Sequence, residues 1–232
     1  MSTNKSLLVN GCSYTALSED PSWADYVNFP NKNIAQHGAG NKWICDATIT
    51  ELLYNNYDMV LVMWSGLTRI DEIINEPTWN DFWYFKSKNN LGIRYGHCNV
   101  GDSPDSPMID IAKPKIAFSD LRGMVFDSLL NMIKLQEFLK ARNQKYRFMS
   151  FMNYWNESYI ENGITLPSVR GLDLDNLVDK IDFKNWIFLN EGKDGIFELA
   201  REKNLYGEDG LHPNNEANKE WAKIINEQTK QR

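Results

Sequence analysis

Three cysteines, three histidines and no run of lysines or arginines occur among the 232 residues, and each scarcity removes a class of protein. Cys12, Cys45 and Cys98 are odd in number and have no CxxC spacing, so they form neither a disulfide framework nor a zinc site. No metal and no cofactor is expected. A formal net charge of −6 without a basic cluster disfavours nucleic acid and anionic membrane surfaces as partners. No apolar window approaches the roughly 20 residues that span a bilayer. The opening "MSTNKSLLVNGC" has too short an apolar run for a secretory signal, so the chain is expected to be cytoplasmic at synthesis.

Aromatics, by contrast, are plentiful, with 8 Trp, 10 Tyr and 11 Phe. Hydrophobic residues at 42% are enough for one sizeable α/β core in a chain this long. Ser6 to Asn10 reads as a short buried strand ended by Gly11, and a second brief strand is expected at Asn33 to Ala35. Asn41 is placed to cap a helix over Lys42 to Tyr54. "DMVLVMWS" is the clearest strand, a continuous apolar run of the kind buried on both faces of a parallel sheet.

Regularity then breaks from about Glu76 to Ser119, a stretch crowded with aromatic residues, Gly and Pro. Loops of this length are functional or disordered, and the aromatic content argues against disorder. An amphipathic helix over Asp120 to Arg142 follows, then a strand in "KYRFMSFMNYW", a second irregular patch over Asn156 to Asp182, and a last strand or buried segment in "NWIFL". The chain closes with a helix whose inner face is Ala217, Trp221, Ile224 and Ile225. Alternating strands and helices without a linker indicate one doubly wound α/β domain over 1–232 with a long aromatic-rich insertion. Its ligand crevice should lie beyond the carboxyl ends of the strands.

Ser13 falls just past the first strand, at that crevice. A serine hydroxyl needs a base to become a nucleophile, and only His37, His97 and His212 are available. In "EDGLHPN" Asp209 precedes His212 by three residues in a Gly-containing loop, a spacing that lets one turn aim carboxylate and imidazole together. His97 has no partner at metal-ligand spacing. "GAGNK" lacks the spacing of a phosphate-binding loop. Asp102, Asp105 and Asp110 read as solvated loop charges, and Cys12 as a small buried residue.

"NGCSYT", "NIAQHGAGN" and "DGLHPN" resemble, in order, the conserved blocks of the SGNH (GDSL-type) hydrolases. More narrowly, "GCSYT" with "VLVMWSGLTR" is similar to divergent SGNH-like proteins often encoded by bacteriophages. The blocks cover about a fifth of the chain. The resemblance implies a flavodoxin-like three-layer α/β/α sandwich with a mostly parallel sheet. It also implies a serine esterase removing acetyl or other acyl groups from a carbohydrate-like substrate. Ser13 would be the nucleophile, His212 the base and Asp209 its orienting carboxylate, with the Ser13 and Gly38 amides forming the oxyanion hole. Two positions depart from the family. Cys12 stands where an Asp is usual, and Leu67 lies near the position of the third block's oxyanion Asn. Losing one such donor costs roughly 2.7–4 kcal/mol, so weak activity is expected. Asn41, Trp64, Ser65, Arg69 and Trp83 are candidate substrate contacts. The other reading is a non-catalytic binding or phage structural module that uses the aromatic insertion, with a homo-oligomer or virion assembly as its setting.

Overall fold

The computed structural model describes residues 6–16, 21–74, 86–99, 120–156, 158–161 and 164–230. Its centre is a parallel sheet of four strands: β1 (Leu7–Gly11), β2 (Asn31–Asn33), β3 (Met59–Trp64) and β7 (Tyr146–Ser150), in the order β2-β1-β3-β7. β1 pairs in register with β3 from Leu7↔Met59 to Gly11↔Met63, and with β2 on its other edge. Residues of β1 and β7 are buried throughout, the pattern of strands covered on both faces. Asn10 marks one face, since its side-chain amide donates to the Ile44 carbonyl and Thr48 hydroxyl of helix α1 (Asn41–Tyr54). Against α1 lies the long helix α2 (Leu121–Ala141), capped by Asp120, whose carboxylate accepts from the Gly123 amide. A second helical group comprises α4 (Ile196–Lys203) and α5 (Asn215–Lys230), which pack on each other and, through α5, on the turn Trp23–Tyr26. The fold is a three-layer α/β/α sandwich around a mostly parallel sheet.

Three local readings are corrected and one is narrowed. The second strand ends at Asn33 because the Asn33 carboxamide turns the chain, accepting from the Ala35 amide and donating to the Thr15 carbonyl. Helix α1 is capped at Gly40 rather than Asn41. Of the two readings of "NWIFL" the buried segment holds: Trp186 and Ile187 are buried, a turn at Phe183–Asn185 leaves a single parallel bridge, Phe148↔Trp186, and the Trp186 ring packs edge-on against Phe148. The stretch read as irregular contains β5 (Lys86–Lys88) and β6 (Arg94–Asn99), which pair antiparallel with each other and with β4 (Arg69–Ile73) in the order β4-β6-β5. Trp79, Phe82, Trp83, Tyr84, Phe85, Asp102, Asp105 and Asp110 lie outside the described residues. The smaller elements are a hairpin, β8 (Tyr159–Glu161) with β9 (Ile164–Leu166), and the one-turn helix α3 (Asp175–Val178). No helix among the described residues is long and apolar enough to cross a membrane.

Candidate active site

The chain passes from β1 to β2 on one side and then crosses back through α1 to β3 on the other, and this reversal of strand order opens a crevice at the carboxyl end of β1. Gly11 closes that strand because nothing larger fits: a Cβ there would meet Thr15 Oγ1 at 2.5 Å and the Met63 carbonyl at 2.9 Å. The chain then turns at once, with the amides of Thr15 and Ala16 both donating to the Cys12 carbonyl. Cys12 is buried in the core, and Ser13 is left partly exposed at the crevice.

The loop between α4 and α5 supplies the opposite wall. It is closed by a bridge between Tyr206 and Pro213 and by the Gly207 amide donating to the His212 carbonyl. Gly210 has φ +66°, a backbone that side chains rarely tolerate, and so lets the loop fold back. Asp209 Oδ1 accepts from the amides of Leu211 and His212, each at 2.9 Å, and Oδ2 lies 2.5 Å from His212 Nδ1. His212 Nε2 is 2.9 Å from Ser13 Oγ. Partial burial pushes the Asp209 carboxyl up, but the hydrogen bonds from the His212 ring and the two amides outweigh it and hold the group at about 2. A carboxylate in this position keeps the proton on Nδ1 and leaves Nε2 as the acceptor for the serine hydroxyl.

Tyr14 joins the two walls. Its hydroxyl donates to the Leu211 carbonyl at 3.0 Å and its ring lies 5.0 Å from that of His212. Burial pushes its phenol far above the ordinary tyrosine value, so it stays a donor. In the sequence Tyr14 stood out only as a neighbour of Ser13. Its partner lies 197 residues away.

Ser13, His37, Tyr206, Asp209, His212 and Asn214 line a cleft of about 670 Å³, with further asparagines at 215 and 218. Apart from Ala16, Gly207 and two prolines, its lining residues are polar or aromatic. Gly38, beside His37, takes φ +74°, and its loop is tied to the end of β1 by the Gln36 amide donating to the Gly11 carbonyl.

Four other candidates do not face this cleft. Asn41 is buried and braces the turn after β3, accepting from the Ser65 amide and donating to the Ser65 and Gly66 carbonyls. Trp64 is fully buried, edge-on to Phe148. Ser65 is also fully buried. Arg69 opens β4, bonds the Ala39 carbonyl and lines a separate groove beside α2. Strand ends carry some side chains into the core and others out of it, a distinction the alternation in "MWSGLTR" did not resolve. Trp83 lies outside the described residues. Leu67, near the family's Asn position, is fully buried. No group of three or more His, Cys, Asp or Glu suited to a metal ion occurs among the described residues.

The fold is that of hydrolases of the SGNH, or GDSL-like, kind. It is similar to a GDSL-like lipase from Bacteroides thetaiotaomicron (TM-score 0.52, 11% identity, 99% of this chain and 90% of that one). It is also similar to an acetyl xylan esterase (TM-score 0.50, 12% identity, 95% of this chain and 97% of that one). At such identities the likeness is one of fold. No protein-family model and no curated protein matches the sequence.

Proposed function

We propose that the protein is a serine ester hydrolase with Ser13 as nucleophile, His212 as general base and Asp209 as the carboxylate that orients it. The observation that carries this reading is the unbroken chain from Asp209 Oδ2 through the imidazole to Ser13 Oγ, at 2.5 and 2.9 Å, opening into a cleft. In the reaction Ser13 Oγ attacks the acyl carbonyl as Nε2 takes its proton, and the imidazolium returns that proton to the departing alcohol. Water then attacks the acyl-enzyme with the same nitrogen as base. The amides of Ser13 and Gly38 are assigned to the oxyanion. A short acyl group on a carbohydrate is the favoured substrate, because the cleft offers hydroxyl, carboxamide and imidazole groups and little aliphatic wall for a long chain. An acetyl xylan esterase among the structural neighbours agrees with that choice.

The test is hydrolysis of 4-nitrophenyl acetate. Ser13→Ala should lower kcat by at least about a thousandfold, and equal rates for the two proteins would remove the nucleophile assignment. One observation favours a second reading, a binding module that does not turn over. Leu67, near the position where the resemblance would put an oxyanion Asn, is buried, and the carboxamide of Asn41 is already committed to Ser65 and Gly66. Stoichiometric labelling of Ser13 by an organophosphonate excludes that reading. Tight glycan binding without labelling or turnover supports it.

A further inference from the structure

A second Ser–His–Asp chain lies in the fold, and it is buried. Ser87 Oγ is 2.7 Å from His97 Nε2, and His97 Nδ1 is 2.6 Å from Asp71 Oδ1. The three residues are 3%, 1% and 2% exposed, so the hydroxyl cannot meet a substrate as Ser13 can. They come from three strands of the smaller sheet. Asp71 on β4 stands directly opposite His97 on β6, and Ser87 lies on β5, at the other edge of β6.

The far end of this chain grips the helix that follows Gly38. Asp71 Oδ1 accepts from the Gly40 amide at 2.8 Å and Oδ2 from the Trp43 amide at 2.7 Å. Helix α1 begins at a glycine that has no side chain of its own to satisfy these amides, and Asp71 supplies the cap from another element. The fit leaves no room for anything else, since a Cβ on Gly40 would sit 2.8 Å from both carboxylate oxygens. A buried carboxylate needs donors on every side, and the helix N-terminus and the His97 ring provide them. The Ser87 hydroxyl donating to Nε2 keeps the ring proton on Nδ1, the tautomer that Asp71 requires.

We propose that Asp71, His97 and Ser87 are positioning residues that hold the Gln36–Gly40 loop, and with it the Gly38 amide, at the geometry the oxyanion needs. The loop is held at its start by Gly11 through the Gln36 amide and at its end by Asp71 through the Gly40 amide. The proposal rests on the hydrolase reading above for the role of Gly38. A hole that lacks the family's Asn depends more heavily on the main-chain donors it keeps, and a donor helps only if it is fixed before charge develops.

Asp71→Asn and Ser87→Ala test it in two measurements. Amide hydrogen exchange over residues 38–43 should accelerate about tenfold or more at Gly40 and Trp43 in Asp71→Asn, and by a smaller factor in Ser87→Ala. With 4-nitrophenyl acetate, kcat should fall roughly 10–100-fold in Asp71→Asn and a few-fold in Ser87→Ala, with KM within about twofold, because the amide serves the transition state. Wild-type exchange in the folded variants overturns the inference, and so does faster exchange with unchanged kcat. If Asp71→Asn does not fold, Ser87→Ala decides by the same criteria. A Ser13→Ala rate equal to wild type sinks the hydrolase reading instead, and the exchange measurement still decides whether the relay holds the loop.

Discussion

At the scale of single residues, the candidate site depends on where one proton sits. Asp209 is about half exposed, yet it collects three hydrogen bonds, and its carboxyl is held at about 2 against an ordinary value of 3.8. A carboxyl depressed on folding adds stability above its unfolded value and loses it as pH falls through the folded one. The stability gap between wild type and Asp209→Asn should therefore be full at neutral pH and close as pH drops from about 4 to about 2. Urea denaturation at stepped pH measures it, and a gap that widens toward acid contradicts the assignment. Through the neutral range Asp209 remains a carboxylate. The three free thiols are all buried. Burial pushes the Cys45 thiol, for example, up to about 12.

Elements set the approach of the reacting groups, and the strand-to-turn junction at Gly11 is one closely packed point among them. Gly11→Ala should cost about 1–3 kcal/mol by overpacking, since the new methyl meets main chain as well as the Thr15 side chain. It should also lower kcat, because Ser13 follows two residues later. Thermal melting and hydrolysis of an acetyl ester report the two effects, and an unperturbed variant would show that β1 and β3 can part without consequence. The same logic explains the relay. An antiparallel β4-β6 pair brings Asp71 and His97 face to face, and only their strand register makes them partners.

Across the whole molecule, the C-terminal helix carries its loop to the N-terminal turn. Asn218 on α5 accepts from the Trp23 amide and donates to the Pro213 and Asn214 carbonyls, while Asn226 accepts from the Asn28 amide. Trp23 and Trp221 are both fully buried nearby. Asn218→Ala leaves the buried Trp23 amide without its partner, and the expected loss is about 1–3 kcal/mol in urea denaturation. A variant as stable as wild type would mean that the Asn218 bond to the Trp23 amide adds nothing to the other contacts between the two segments.

The amino-acid order by itself determined what short-range physics controls. The apolar run at 58–65 had to be a strand, the periodic stretch near 120–142 had to be a helix, and the Asp209-to-His212 spacing let one turn join its own carboxylate and imidazole. Where two local signals competed, side-chain hydrogen bonding ended the strand at Asn33, and a single turn decided against a strand in "NWIFL". Tertiary structure alone decided which histidine meets which serine. His212 reaches Ser13 across 199 positions, and His97 finds Asp71 across 26. It also turned Asn41, Trp64 and Ser65 inward, away from the cleft. Neither periodicity nor spacing encodes such meetings, because they arise from strand order and register, which form only when the whole core is buried together.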